Sequence, residues 1–218
     1  MTKYGTIALI GSGETSAAGG QTFEMLAREL PVPLKAGVLE TPAGFEGNSY
    51  QVAGRVADYI AQRLQNYRPQ VKIIAARKKG SAFSPDQPEI VQPLYDCGLI
   101  FLGPGSPTYA VRQLAYSLAW QLTQARHRLG ASLALASAAS IAAGALALPV
   151  YEIYKAGEDP HWKPGLGLFK PFGLSLVIIP HWNNRDGGEE LDTSRCFMGQ
   201  ERFAHLLGLL TADITVVG

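Results

Sequence analysis

Ser132-Leu-Ala-Leu-Ala-Ser137-Ala-Ala-Ser-Ile-Ala-Ala-Gly144 is the stretch that decides the fold. An apolar run from Ser132 to Ala136 stops abruptly at Ser137, and small residues follow: Ala138, Ala139, Ser140, Ala142, Ala143, Gly144. The pattern predicts a buried strand that passes through a tight turn into a helix. A serine at that turn carries its hydroxyl at the carboxyl end of the strand, the geometry of a nucleophile elbow. The plainer alternative is a close-packed turn in which Ser137 is simply small.

On either side of this stretch, short apolar runs alternate with helical patterns. Thr6–Ile10, Leu34–Leu39, Val71–Ala75, Leu99–Leu102, Leu174–Ile179 and Ile214–Val217 read as further strands. Between them, Gln21–Leu30 and Ser49–Asn66 have apolar residues at helical spacing, with Asn48 as a cap for the second. Pro107 opens a long helix to about Arg128, at a position where its missing N–H costs little. Residues 85–96 are a proline-punctuated turn or short helix, and Asp192 or Thr193 can cap a last helix through Leu210. Uninterrupted apolar strands alternating with helices predict a three-layer, doubly wound α/β fold with a mostly parallel sheet and helices on both faces. No linker, repeat or low-complexity segment divides residues 1–218, so one domain is expected.

Composition narrows the function. Of 218 residues 47% are apolar and 17% charged, which suits a sizeable core, and the net charge of +1 gives no reason to expect nucleic acid or an anionic membrane as a partner. No run reaches the roughly 18 apolar residues of a membrane helix. The stretch MTKYGTIALIGSG has too short an apolar run for a secretory leader. Cys97 and Cys196 form no C-x-x-C pair, which fits a reducing compartment. The expectation is a cytoplasmic protein without membrane attachment.

In a parallel sheet, ligands bind beyond the carboxyl ends of the strands. Gly11–Gly20, Thr41–Gly47, Gly103–Thr108, Ser137–Ser140 and His181–Gly188 all fall there. The first of these, G-S-G-E-T-S, is a broken dinucleotide fingerprint: its third position is Ser16, and the acid Glu40 stands about 27 residues beyond Gly13. With no G-K-[ST] either, no nucleotide cofactor is expected. Glu14 is a candidate cleft residue instead. The G-P-G-S-P-T run at 103–108 combines two glycines at a strand end with a helix starting at Pro107, so its backbone N–H groups can face a developing negative charge.

The chain has four histidines. His127 and His205 fall within helices. His181, between Pro180 and Trp182, follows a strand at the same edge as Ser137 and is the candidate base; His161, in GEDPHW, is the second choice. No histidines lie four apart on a helix and neither cysteine is near one, so no metal is expected.

Taken together, these residues resemble the serine peptidase family of dipeptidase E and cyanophycinase, which shares the class I glutamine amidotransferase-like fold. The matching pieces are IALIGSGE, FLGPGSPTYAVRQL, the elbow around Ser137, and GLGLF followed by LVIIPHW, in the same order over most of the chain. In that family the elbow reads S-A-G-A and the histidine sits in P-H-F or Q-H-F. Here the elbow reads S-A-A-S, with Ala139 in the place of the glycine and Ser140 in the place of the alanine.

The resemblance implies Ser137 as nucleophile and His181 as general base, with Gly105 and Ala138 supplying the oxyanion N–H groups. It implies an acid about fifteen positions after the nucleophile, which is Glu152; Glu158, Asp159, Glu189 and Glu190 are the alternatives. It further implies a peptide or isopeptide substrate, and basic residues for an acidic side chain, for which Arg185 and Arg195 are candidates. A homo-oligomer is consistent with it. A non-catalytic member that binds a peptide or small molecule is the competing expectation.

Overall fold

The computed structural model describes residues 4–218; the first three residues, part of the stretch read above for a leader, lie outside it. The elements follow in order as β1 (Ile7–Ile10), α1 (Ala17–Ala27), β2 (Lys35–Leu39), α2 (Ser49–Arg63), β3 (Gln70–Ile74), α3 (Pro88–Val91), β4 (Leu99–Leu102) and α4 (Pro107–Leu114). Then come α5 (Leu118–Arg128), β5 (Ser132–Ala136), α6 (Ala138–Ala143), β6 (Leu146–Ala147), α7 (Val150–Tyr154) and β7 (Lys163–Pro164). The chain finishes with β8 (Leu176–Ile178), α8 (Ser194–Phe197), α9 (Gly199–Gly208) and β9 (Thr215–Val217).

The central sheet has five strands in the order β1-β5-β4-β2-β3, all paired in parallel. The apolar strands leave both faces to be covered, and each face has its own layer. Phe101 and Ala134 point to one side, where they pack with Phe23 and Leu26 of α1 and Val56 and Ile60 of α2. Ile100, Leu102, Leu133 and Leu135 point to the other, against Leu114 of α4, Trp120 of α5 and Ala139 of α6. All four residues of β4 and all five of β5 are buried. At about 25 cal/mol per Å2 of apolar surface, these strands supply much of the driving force for the sheet. The three-layer parallel architecture expected from the alternating pattern is the one observed.

Two expected elements take a different form. The helix from Pro107 is broken into α4 and α5 by Tyr116 at φ 61°, and the Ser117 hydroxyl accepts from Trp120 N to start α5 afresh. Apolar periodicity persists through the break, so it gave no signal. The last helix is also interrupted: Arg195, Cys196 and Phe197 all have positive φ, and α9 starts only at Gly199. Asp192 does cap, by accepting from Ser194 N and Gln200 N, whereas Thr193 makes no side-chain cap. Likewise Asn48 precedes α2 without a side-chain capping bond.

Strands β8 and β9 pair in parallel as a separate two-stranded sheet rather than extending the central one. Val177 and Ile179 there join Ile141 of α6, Ile153 of α7 and Phe203 and Leu206 of α9 in a third apolar cluster. This cluster carries the segment that begins at Pro180. Because Ile10 pairs with Ala136 and Leu102 with Leu135, the turns after β1, β4 and β5 emerge side by side at one edge of the sheet. No helix among the described residues is long and apolar enough to cross a membrane.

Candidate active site

Ser137 sits between the last residue of β5 and the first of α6 with φ 50° and ψ −113°. A non-glycine residue held in such a conformation costs on the order of 1–3 kcal/mol and persists only where its surroundings enforce it. The enforcement is visible on both sides. The Ser137 N–H donates to Ile10 O at 2.9 Å, extending the β1–β5 ladder by one residue. Immediately after it, Ser140 donates its hydroxyl to Leu135 O at 2.7 Å, tying the first turn of α6 back to the strand. Ser140 therefore has a structural role here. Ala139 lies within the helix, has no positive φ, and packs its methyl into the core, so the position does not require glycine.

The turn presents the Ser137 hydroxyl to His181, with Oγ 2.9 Å from Nε2. His181 itself has φ 52° and follows β8 by three residues. Its carbonyl accepts from Cys196 N at 3.3 Å and from Asn184 N at 3.1 Å, so the left-handed turn at 195–197 grips the histidine backbone. Phe197 from that turn stands 6.0 Å from the imidazole, ring centre to ring centre. Burial lowers the His181 pKa below its ordinary value, against smaller raising effects of Asp186 and Glu14. At neutral pH the ring is thus uncharged and able to accept a proton.

Gly105 and Ala138 line the same cavity as Ser137. Gly105 has φ 146°, and a Cβ there would run into the Pro42 carbonyl, so only glycine fits. The loop is held by Ser106 N, which donates to Pro42 O at 2.9 Å. Pro42 in turn follows Glu40, a residue with a fully buried carboxylate. Arg77 Nε donates to Glu40 Oε2 at 2.7 Å and Ser49 Oγ to the same oxygen at 2.9 Å. Both partners of the Glu40 carboxylate thus come from within the fold, one from α2 and one from the segment after β3. Among the described residues, no group accepts a hydrogen bond from Gly105 N–H or Ala138 N–H.

Glu152 is near the site but not on the histidine. Its Oε1 accepts from the Thr108 hydroxyl at 2.6 Å, and Thr108 Oγ1 lies 3.1 Å from Ser106 Oγ. The carboxylate thus braces the start of α4, one residue from the Gly105 loop, while its Oε2 is buried without a partner. The other candidate acids are elsewhere too. Glu158 pairs with His161 at 3.7 Å, Glu189 lines a separate surface cleft, and Glu190 is exposed. Asp159 lends only its carbonyl to His161. Among the described residues no carboxylate hydrogen-bonds to His181 Nδ1.

The two expected basic residues are outside the cavity. Arg195 stacks its guanidinium 4.0 Å above the Trp182 ring and donates to Trp182 O. Arg185 lines the separate cleft with Glu189 and Asp192. Glu14 is close enough to influence His181 but does not line the cavity. What lines it instead is α7 and the residue after it, with Val150, Tyr151, Tyr154 and Lys155, together with Ile141, Cys196 and Phe197, around a space of about 310 Å3. Tyr151, Tyr154 and Lys155 stand at i, i+3 and i+4, the spacing that puts three side chains on one helix face, so VYEIYK itself carries the signal for this wall. Burial pushes the Cys196 thiol up to about 12, so it is protonated and no nucleophile. No three His, Cys, Asp or Glu side chains among the described residues gather into a metal-binding group.

A crystallised peptidase from an acI-B1 Actinobacterium superposes with a TM-score of 0.73 at 20% identity, covering 99% of this chain and 81% of that one. The chain has the fold of that peptidase. A Listeria monocytogenes EGD-e protein provisionally assigned to Peptidase E superposes with a TM-score of 0.60 at 15% identity, covering 99% of this chain and 91% of that one. No protein-family model and no curated protein matches the chain.

Proposed function

We propose that the chain is a serine hydrolase of the dipeptidase E and cyanophycinase type, cleaving a peptide or isopeptide bond. The observation that carries this reading is the 2.9 Å approach of Ser137 Oγ to His181 Nε2 across an enforced, strained turn. His181 takes the Ser137 proton as Oγ attacks the scissile carbonyl. The Gly105 and Ala138 N–H groups receive the negative charge that develops on the carbonyl oxygen. Collapse of the tetrahedral species breaks the C–N bond, and His181 returns the proton to the departing amine. Water, deprotonated by the same imidazole, then attacks the acyl-enzyme; the bond from the acyl carbon to Ser137 Oγ breaks, the acid departs, and His181 returns the proton to Oγ.

In this scheme the histidine works without a carboxylate on Nδ1, and Glu152 serves as a brace for the oxyanion loop. The absence of that carboxylate contact is also what favours the second reading, a folded relative that binds a peptide or small molecule without cleaving it. Treatment with a fluorophosphonate separates the two. The hydrolase gains the mass of the phosphonyl group at Ser137, and the gain disappears in Ser137→Ala. A folded protein that stays unlabelled is the binding protein.

A further inference from the structure

The lining of the cavity next to Ser137 has a composition that speaks to what enters it. Ile141, Val150 and Phe197 present carbon, and Tyr151 and Tyr154 present rings. Apart from His181, one ionisable cation borders the space, Lys155, whose Nζ is 5.5 Å from the centre of the Tyr154 ring. Neither Arg185 nor Arg195 reaches in: the first belongs to another cleft, and the second is committed to Trp182.

We infer that this cavity selects a short peptide whose scissile carbonyl belongs to an apolar or aromatic residue, with Lys155 pairing to the peptide's terminal carboxylate. The inference deepens, and rests on, the reading of the cavity as a site of acyl transfer. The residue that places its carbonyl between Ser137, Gly105 and Ala138 must also place its side chain against this wall. There an apolar side chain gains burial, while a carboxylate loses water and finds no guanidinium fork to replace it. Lys155 is exposed, a partner suited to a charge at the rim rather than to one buried in the pocket. A space of about 310 Å3 is at the small end of ligand pockets, which suits a peptide of two or three residues better than a polymer.

The test uses Ser137→Ala protein and three probes: Phe-Leu, Asp-Leu and the amide Phe-Leu-NH2. Calorimetry is expected to give Phe-Leu at least about tenfold tighter than Asp-Leu, the ratio for one buried apolar side chain. Phe-Leu-NH2 is expected to bind about fivefold weaker than Phe-Leu, an exposed ion pair's worth, and Lys155→Met in the same background removes that difference. Asp-Leu binding as tightly as Phe-Leu, or no dipeptide binding at all, overturns the inference. Hydrolysis by the unmodified protein is measured alongside. Selective binding of Phe-Leu with no cleavage and no fluorophosphonate labelling defeats the hydrolase and leaves the selectivity standing; labelling at Ser137 with preference for Asp-Leu does the reverse.

Discussion

Ser137 and His181 both hold positive φ angles, 50° and 52°, and their side chains meet at 2.9 Å although 44 residues separate them. Each backbone is strained where its side chain is presented, as expected where a site is maintained against local preference. Removing the strain at Ser137 should therefore stabilise the protein. Ser137→Gly is expected to abolish hydrolysis and raise the melting temperature by ~2–4 °C, equivalent to about 1 kcal/mol in a chain of this size. Ser137→Ala abolishes hydrolysis equally but keeps the strained residue, and its melting temperature stays at the parent value. Thermal melts of the three proteins check this; equal melting for the glycine variant and the parent refutes stored strain.

The burial that lowers the His181 pKa fixes the direction of the pH dependence. The proton-accepting form is the neutral ring, which predominates above the folded pKa. Activity should hold through neutral pH and fall only as pH drops below the ordinary histidine value of about 6.5. For folding, the native state binds the His181 proton more weakly than the unfolded chain does. This contribution to stability is present above the unfolded pKa and is lost as pH falls towards the folded one. Asp186 opposes the shift, so Asp186→Asn should move the acidic limb of kcat/KM to still lower pH. A pH–rate profile that moves upward instead contradicts the assignment.

Glu152 and Thr108 act as one unit if the carboxylate braces the Gly105 loop. Glu152→Ala and Thr108→Val should each lower kcat about tenfold, the effect of one charge-assisted hydrogen bond, and the double variant should lose no more than either alone. Thr108→Ser retains the hydroxyl and should recover activity. The acidic limb set by His181 should stay in place in all of them. A shift of that limb in Glu152→Ala would show the acid acting on the histidine instead.

What was legible from sequence divides along physical lines. Strands β4 and β5 are buried on both faces, so their apolar runs match the observed boundaries, Leu99–Leu102 and Ser132–Ala136. The turn at Ser137 was legible because a change from apolar strand to small residues has few structural solutions. Distance along the chain from the serine points to Glu152, yet a 15-residue interval containing α6, β6 and the start of α7 does not fix which way a carboxylate points. The family resemblance makes Arg195 a candidate partner for an acidic side chain, but Trp182 offers the guanidinium a ring and a carbonyl closer at hand. The three consecutive left-handed residues at 195–197 carry no glycine, so nothing in their composition marks them.

The last prediction concerns the support behind the oxyanion loop. Glu40 is sealed from solvent and held by Arg77, whose side chain is 28% exposed, and by Ser49. The turn that follows Glu40 supplies the Pro42 carbonyl, which accepts from Ser106 N and against which Gly105 is packed. Arg77→Met keeps most of the aliphatic stem but leaves the carboxylate buried without its cation. Breaking such a pair from one side costs on the order of 3–5 kcal/mol, against a total stability of about 5–15 kcal/mol. Denaturant melts should register this loss. Arg77→Met combined with Glu40→Gln should recover part of it, because no unpaired charge then remains in the core. If the single variant melts like the parent, the pair is not what holds the turn, and the Gly105 loop must be anchored by the Ser106–Thr108–Glu152 contacts alone.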